Sequence, residues 1–158
     1  MDSMLESFDR RFAEIHRRSL AVLGLIPQDD LFRKPRDIAH TMAMFSVGEY
    51  LLRSAAAVEQ TCGGLTTRLW DDPFEWTLPE KLAMKDNVLA YFEEVEVTRA
   101  SAFAFLRSDA DLIKELPAPE RLRTIFDLLL ETVGRSEHYQ GRAFAVFQMV
   151  SDAKLPRL

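Results

Sequence analysis

The stretch from Leu65 to Lys85 constrains this chain more than any other. It is a connector of roughly twenty residues with no clean helical period, set between segments that have one. Neighbouring helices in a bundle are usually joined by a handful of residues, so a connector this long has to travel. If the two helices it joins run parallel, the chain must return along the whole length of the bundle. Its aromatic residues Trp70, Phe74 and Trp76, with Asp71-Asp72-Pro73 and Pro79 among them, are then expected to pack over an end or side of the bundle, as a lid or a dimer contact.

Four segments carry helix-period apolar spacing. In the first, Leu5, Phe8, Phe12, Ile15, Leu23 and Ile26 form one stripe, with Glu6, Arg10, Glu14 and Arg17 opposite, and Pro27 ends it. A connector from Gln28 to Phe45 follows, with a short helical turn expected through Asp37-Ile38-Ala39-His40. The second helix has the clearest start. Ser46-Val47-Gly48-Glu49 has capping-box spacing, and Phe45 and Tyr50 stand at the staple positions around it. Gly63-Gly64 reads as its C-terminal cap.

The third helix is expected from about Asp86, through Val88, Phe92, Val95 and Ala102, to Arg107-Ser108-Asp109. The fourth is expected after Pro117-Ala118-Pro119-Glu120 and runs to about Val150. No segment shows strand-like alternation and there is no internal repeat. The expected class is all-α, a single four-helix-bundle domain over 1–158.

Charge and apolar runs narrow the partners. The formal net charge of -5, with basic residues scattered among acids, argues against nucleic acid or an anionic membrane. The basic cluster Arg10-Arg11 with His16-Arg17-Arg18 reads as a solvated helix face. Apolar runs fall far short of the roughly 20 residues that span a bilayer. The first residues lack a signal-peptide pattern, and the one cysteine, Cys62, excludes an intrachain disulfide. A cytoplasmic protein is expected. Cys62 has no histidine near it in sequence and reads as a half-buried thiol rather than a nucleophile. No G-x-S-x-G, H-E-x-x-H, P-loop or dinucleotide glycine pattern occurs.

The octet Arg135-Ser136-Glu137-His138-Tyr139-Gln140-Gly141-Arg142 places a polar cluster inside an apolar helix. Arg135 and Tyr139 lie four apart and share a face with Ile125, Leu128, Thr132, Ala143 and Val146, read here as the buried face. A buried charge must be paired or open to a pocket, because leaving it unpaired costs several kcal/mol, roughly. Gly134 and Gly141, seven apart, suggest a close helix approach.

Four amphipathic helices with a long second connection, a second helix opening Ser46-Val47-Gly48-Glu49-Tyr50-Leu51-Leu52 and a last helix carrying Glu137-His138-Tyr139-Gln140-Gly141-Arg142 resemble the DinB/YfiT-like superfamily. The resemblance covers nearly the whole chain and implies an up-down-down-up bundle with the long crossover between the second and third helices. It also implies three metal-binding histidines, one on the second helix and two, four apart, on the last. These positions fall on Arg53, Arg135 and Tyr139, none of them histidine. Guanidinium has no lone pair to give and stays charged, so two of them would repel a divalent cation.

Several readings of this replaced site stay open. Arg53 and Arg135 could pair with Glu49 and Glu131, each four residues earlier, as a structural polar network. With the Tyr139 hydroxyl they could instead converge as a pocket for a small anionic ligand, since guanidinium forks suit carboxylate and phosphate. A shifted set of Glu49, His138 and Glu137 could hold a divalent transition metal such as zinc or nickel. His16 and His40 read as solvated. Enzymes of the resembled family are metal-requiring, thiol-dependent transferases or isomerases. With the histidines replaced, the expectation is a non-catalytic, homodimeric ligand-binding or structural protein with no cofactor, the metal-dependent transferase using the shifted set being the alternative.

Overall fold

The computed structural model describes residues 3–35, 44–73 and 82–157. Helix α1, Met4–Leu25, opens on a capping box in which Ser3 Oγ accepts from Glu6 N and the Glu6 carboxylate accepts from Ser3 N. It stops ahead of Pro27, as the sequence requires. A single turn, α2, Gln28–Leu31, follows where only a connector was expected. The expected turn at 37–40 lies outside the described residues.

Helix α3, Val47–Thr67, begins at the Ser46–Glu49 capping box, and Phe45 meets the Tyr50 ring edge-on at 5.5 Å in the staple. It does not end at Gly63-Gly64. It runs on for another turn and closes on Arg68, whose φ of 63° is left-handed. Gly64 serves a different purpose: a Cβ there would lie 2.3 Å from the Trp70 ring, so the glycine lets the indole lie flat on the helix. Helix α4, Lys85–Phe105, has Met84 at its N-cap position with no side-chain cap, and Asp86 sits in its first turn rather than at the cap.

The largest departure comes before the last helix. After a single 3-10 turn at Asp109–Asp111, strands β1, Glu115–Pro117, and β2, Leu122–Thr124, pair antiparallel with Leu116 opposite Arg123. Helix α5, Ile125–Val150, starts only then, with Thr124 Oγ1 accepting from Asp127 N. The prolines around Ala118 therefore build a hairpin turn instead of a first helical turn. Three-residue strands are too short for alternation to announce them.

The helix directions follow from contacts at their ends. Lys85 Nζ donates to Ile26 O at 2.9 Å, and the Gly48 position abuts Leu31, so α3 and α4 both begin where α1 ends. Phe8 meets Phe126 edge-on at 5.6 Å, so α5 begins where α1 begins. The order is up, down, down, up, with the crossover between α3 and α4 expected from its length. The core is shared by all four long helices, with Phe12, Leu23, Leu51, Leu65, Phe92, Leu129 and Phe147 buried in it. No helix among the described residues is long and apolar enough to cross a membrane.

Some surface expectations change with burial. Arg18 is buried beside Glu14 rather than solvated, and His16 is half-buried against Phe92, its Nδ1 3.8 Å from Glu96. Nothing approaches within 4 Å of a Cβ built at Gly134 or Gly141, so neither marks a close helix approach.

Candidate functional site

The polar row that faces into the bundle from α5 is Thr132, Ser136 and Gln140, one residue per turn. Each is met from across the interior. Thr132 Oγ1 lies 2.6 Å from Thr61 Oγ1 on α3. Ser136 Oγ donates to Ser54 O at 2.9 Å, and Ser54 Oγ donates to Ser136 O at 2.8 Å. Gln140 Nε2 donates to Ile15 O at 2.6 Å and to Ser19 Oγ at 2.8 Å on α1. These are satisfied groups that fix α5 against two neighbours.

Arg135 and Tyr139 are therefore not on the buried face. Arg135 is exposed and Tyr139 half-buried, while Ser136 and Gln140 are almost fully enclosed. A residue on α3 and two on α5 four apart do reach the interior together, but they are Ser54, Ser136 and Gln140, each one position beyond Arg53, Arg135 and Tyr139. Serine hydroxyls and a carboxamide are poor donors for a transition metal beside imidazole, thiolate or carboxylate. All three are also committed to protein partners. The residues at the centre of the bundle do not fit a metal of the kind the resemblance implies.

The alternative set is taken apart by its own contacts. Glu49 caps α3, its Oε2 accepting from Ser46 N and Ser46 Oγ at 2.8 Å each. Glu137 faces α1, 3.4 Å from Arg11 and 4.0 Å from Arg18. His138 Nε2 accepts from Arg142 Nε at 2.9 Å on the exposed side. Among the described residues no group of three histidine, cysteine, aspartate or glutamate side chains is placed to hold a metal ion.

Neither expected ion pair forms. Arg53 lies over the Phe45 ring, its Cζ 4.2 Å from the centroid. Glu131, expected to pair with Arg135, is held 2.5 Å from Arg123, which also donates to Asp127 at 2.7 Å. The hydrogen bond to Asp127, with Glu131 beside it, raises the Arg123 pKa, and the same bond lowers that of Asp127. Arg135 is left with a single neutral contact, Nη2 to Gln60 Oε1 at 3.3 Å.

Arg135 instead lines a cleft of about 530 Å³ between α3, α5 and the hairpin. Gln60, Thr61 and Thr132 form part of its wall, Trp70 and Leu128 another, and the turn Ala118–Arg121 with Arg123 closes it. Its aromatic wall is fixed three ways. The Trp70 ring rests on Gly64, its Nε1 donates to Pro117 O at 3.2 Å, and its carbonyl accepts from Gln60 Nε2 at 3.0 Å. Trp70 is thus a lid over the bundle side, as the connector's aromatics suggested; Phe74 and Trp76 lie outside the described residues. Arg121, exposed on the hairpin turn, has no ion pair among the described residues, and neither does Arg135. Arg53 and Tyr139 do not line this cleft.

Gln60, Thr61, Arg121 and Arg123 are the cleft residues that the sequence did not single out. Arg121 sits in a hairpin that has no sequence period, so nothing marked it. Gln60, by contrast, lies on a helix whose start at Ser46 was legible.

No family model matches the sequence, and no curated protein is significantly similar to it. Solved structures do match. A DinB-like protein from Bacillus cereus ATCC 10987 superposes with a TM-score of 0.73 over 100% of this chain and 99% of its own, at 15% identity. A DinB-like protein from Bacillus subtilis does so with a TM-score of 0.69 over 96% of each chain, at 14% identity. The match runs end to end despite the low identity, and the chain has the fold of the DinB-like proteins.

Proposed function

We propose that this chain is a non-catalytic DinB-like bundle that binds a small anion in the cleft between α3, α5 and the hairpin, its metal site being degenerate. One observation carries the proposal: Arg135 and Arg121 line the same cleft and neither forms an ion pair among the described residues, Asp127 acting on Arg121 only through space. Guanidinium groups without a carboxylate partner are ready to take a carboxylate or phosphate from solution. Of the three ligand residues expected from sequence, Arg135 is kept, and Arg121 with Gln60 replaces Arg53 and Tyr139. The degenerate metal site is inferred from donor chemistry, since Ser54, Ser136 and Gln140 offer no imidazole, thiolate or carboxylate.

The test is a thermal-shift and calorimetric screen of small carboxylates and phosphate. Saturable binding that is lost in Arg135→Gln and kept in Arg53→Ala is the expected result. Binding lost equally in Arg53→Ala would return the site to the bundle face predicted from sequence, and binding indifferent to Arg135 would overturn both readings. Elemental analysis after chelator-free purification tests the other half: stoichiometric zinc or nickel would overturn the degenerate-site reading in favour of a metal-dependent transferase.

A further inference from the structure

The two arginines without an ion pair lie on different elements of the cleft, α5 and the hairpin turn, and what lies between them is informative. Along α5 the first two turns present Asp127 and Glu131, both held by Arg123, and Arg135 follows on the third. Asp127 and Arg135 are thus about 12 Å apart at the helical rise. Arg121 lies beyond the other end of this neutralised stretch, on the hairpin turn. A compact anion set midway would meet the paired Glu131 and Arg123 rather than either unpaired guanidinium. One part of the wall alongside is apolar, the fixed Trp70 ring with Leu128, Ala118 and Pro119, facing the polar part made by Gln60, Thr61 and Thr132.

We propose that the cleft selects a dicarboxylate whose two acid groups are separated by an apolar spacer, one end held by Arg135 and the other by Arg121. This deepens the anion-binding proposal and rests on it. Arg135 is positioned by Gln60, whose amide is itself anchored to Trp70 O, so the α5 end is preorganised. Arg121 is on an exposed turn and closes onto the far carboxylate. Glu120 beside it has no ion pair among the described residues and opposes that closure. A ligand held at both ends ties the hairpin to the bundle, and the second contact is made at high effective concentration.

The experiment is calorimetry on the intact chain with succinate, adipate and suberate, with hexanoate as a one-ended control and inorganic phosphate as a compact anion. Adipate or suberate is expected to bind at least about tenfold more tightly than hexanoate. Arg121→Gln and Arg135→Gln should each remove that advantage, and Glu120→Gln should increase it. Arg121 and Glu120 are exposed turn residues, so folding of these variants is checked directly by circular dichroism. If hexanoate matches the dicarboxylates and only Arg135→Gln matters, the two-ended ligand is wrong while the anion site stands. If phosphate binds most tightly, the separation of the two arginines is not what selects the ligand. If no probe binds, the anion site falls and this inference with it.

Discussion

Ser54 on α3 and Ser136 on α5 each donate a hydroxyl proton to the other's backbone carbonyl, at 2.8 and 2.9 Å, with no exposure to solvent at either residue. Their Oγ atoms also lie 2.8 Å apart. Two protons cannot serve three contacts, so with both carbonyls engaged the Oγ···Oγ approach carries no proton. Each carbonyl belongs to a helix interior and keeps its backbone partner when the serine opposite is removed. Ser54→Ala and Ser136→Ala are therefore expected to destabilise by about 1 kcal/mol each. In a double-mutant cycle by urea unfolding, their coupling should stay within about 0.5 kcal/mol. A coupling well above that would mean the hydroxyls share a proton directly and the carbonyls are secondary.

How much of this was legible in the sequence depends on what a 3.6-residue period can resolve. The four long helices, the α1 stop at Pro27, the Ser46–Glu49 box and the crossover rest on strong signals, and each stands, while the short α2 went unmarked. The helical stripe of α5 was read from Ile125, Leu128, Thr132, Ala143 and Val146, which leaves out Leu129, Phe144 and Phe147. All three are buried, and including them turns the centre of the stripe towards Ser136 and Gln140. At about 100° per residue Arg135 then lies roughly a quarter turn from that centre, which is why it is exposed. A charged residue in an apolar helix stands out more than the quieter Thr132-Ser136-Gln140 row that faces inward. The hairpin was hidden for another reason. Its strands are too short to show a period, and its prolines look equally like a helix start.

Glycine substitutions should separate two kinds of helix glycine by the sign of their effect. Gly134 has open space where a Cβ would stand, so Gly134→Ala is expected to stabilise by about 0.5–1 kcal/mol through helix propensity. Gly64→Ala gains the same propensity but drives a methyl to within 2.3–2.5 Å of three Trp70 ring atoms. The indole must leave, and its bond to Pro117 O goes with it. A net loss of about 1–3 kcal/mol is expected, with a changed tryptophan emission. If both variants stabilise equally, Trp70 does not rest on α3 in solution.

His16 gives a pH dependence with a definite sign. Burial lowers its pKa below the usual 6.5, and nearby Arg99 acts in the same direction, while Glu96 opposes both. The Phe92 ring covers it from α4, and Asp9, earlier on α1, is engaged by Arg99. The folded state therefore prefers the neutral imidazole. Above the unfolded pKa both states are neutral and the contribution is complete. As pH falls below 6.5 the unfolded chain takes up the proton first, and stability is lost until the folded pKa is passed. The difference in unfolding free energy between the wild type and His16→Gln should accordingly shrink or reverse as pH falls from about 7 towards about 5. A difference that is flat across this range would place His16 in solvent.

Cys62 is fully buried, and burial pushes its thiol up to about 12, so almost no thiolate exists at neutral pH. The sequence suggested a half-buried thiol without a catalytic role, and the enclosure is more complete than that. Its modification by a thiol reagent then requires the bundle to open, because α3 packs against both α4 and α5 around it. Labelling at neutral pH is expected to be slow in native buffer and to accelerate with denaturant in step with global unfolding. Ser54→Ala should speed it about fivefold, the ratio that matches a loss of about 1 kcal/mol, if opening and closing are fast relative to the reagent. Rapid native labelling, insensitive to denaturant, would mean that Cys62 is reached by a local path, and the thiol would have to be reconsidered as a reactive group.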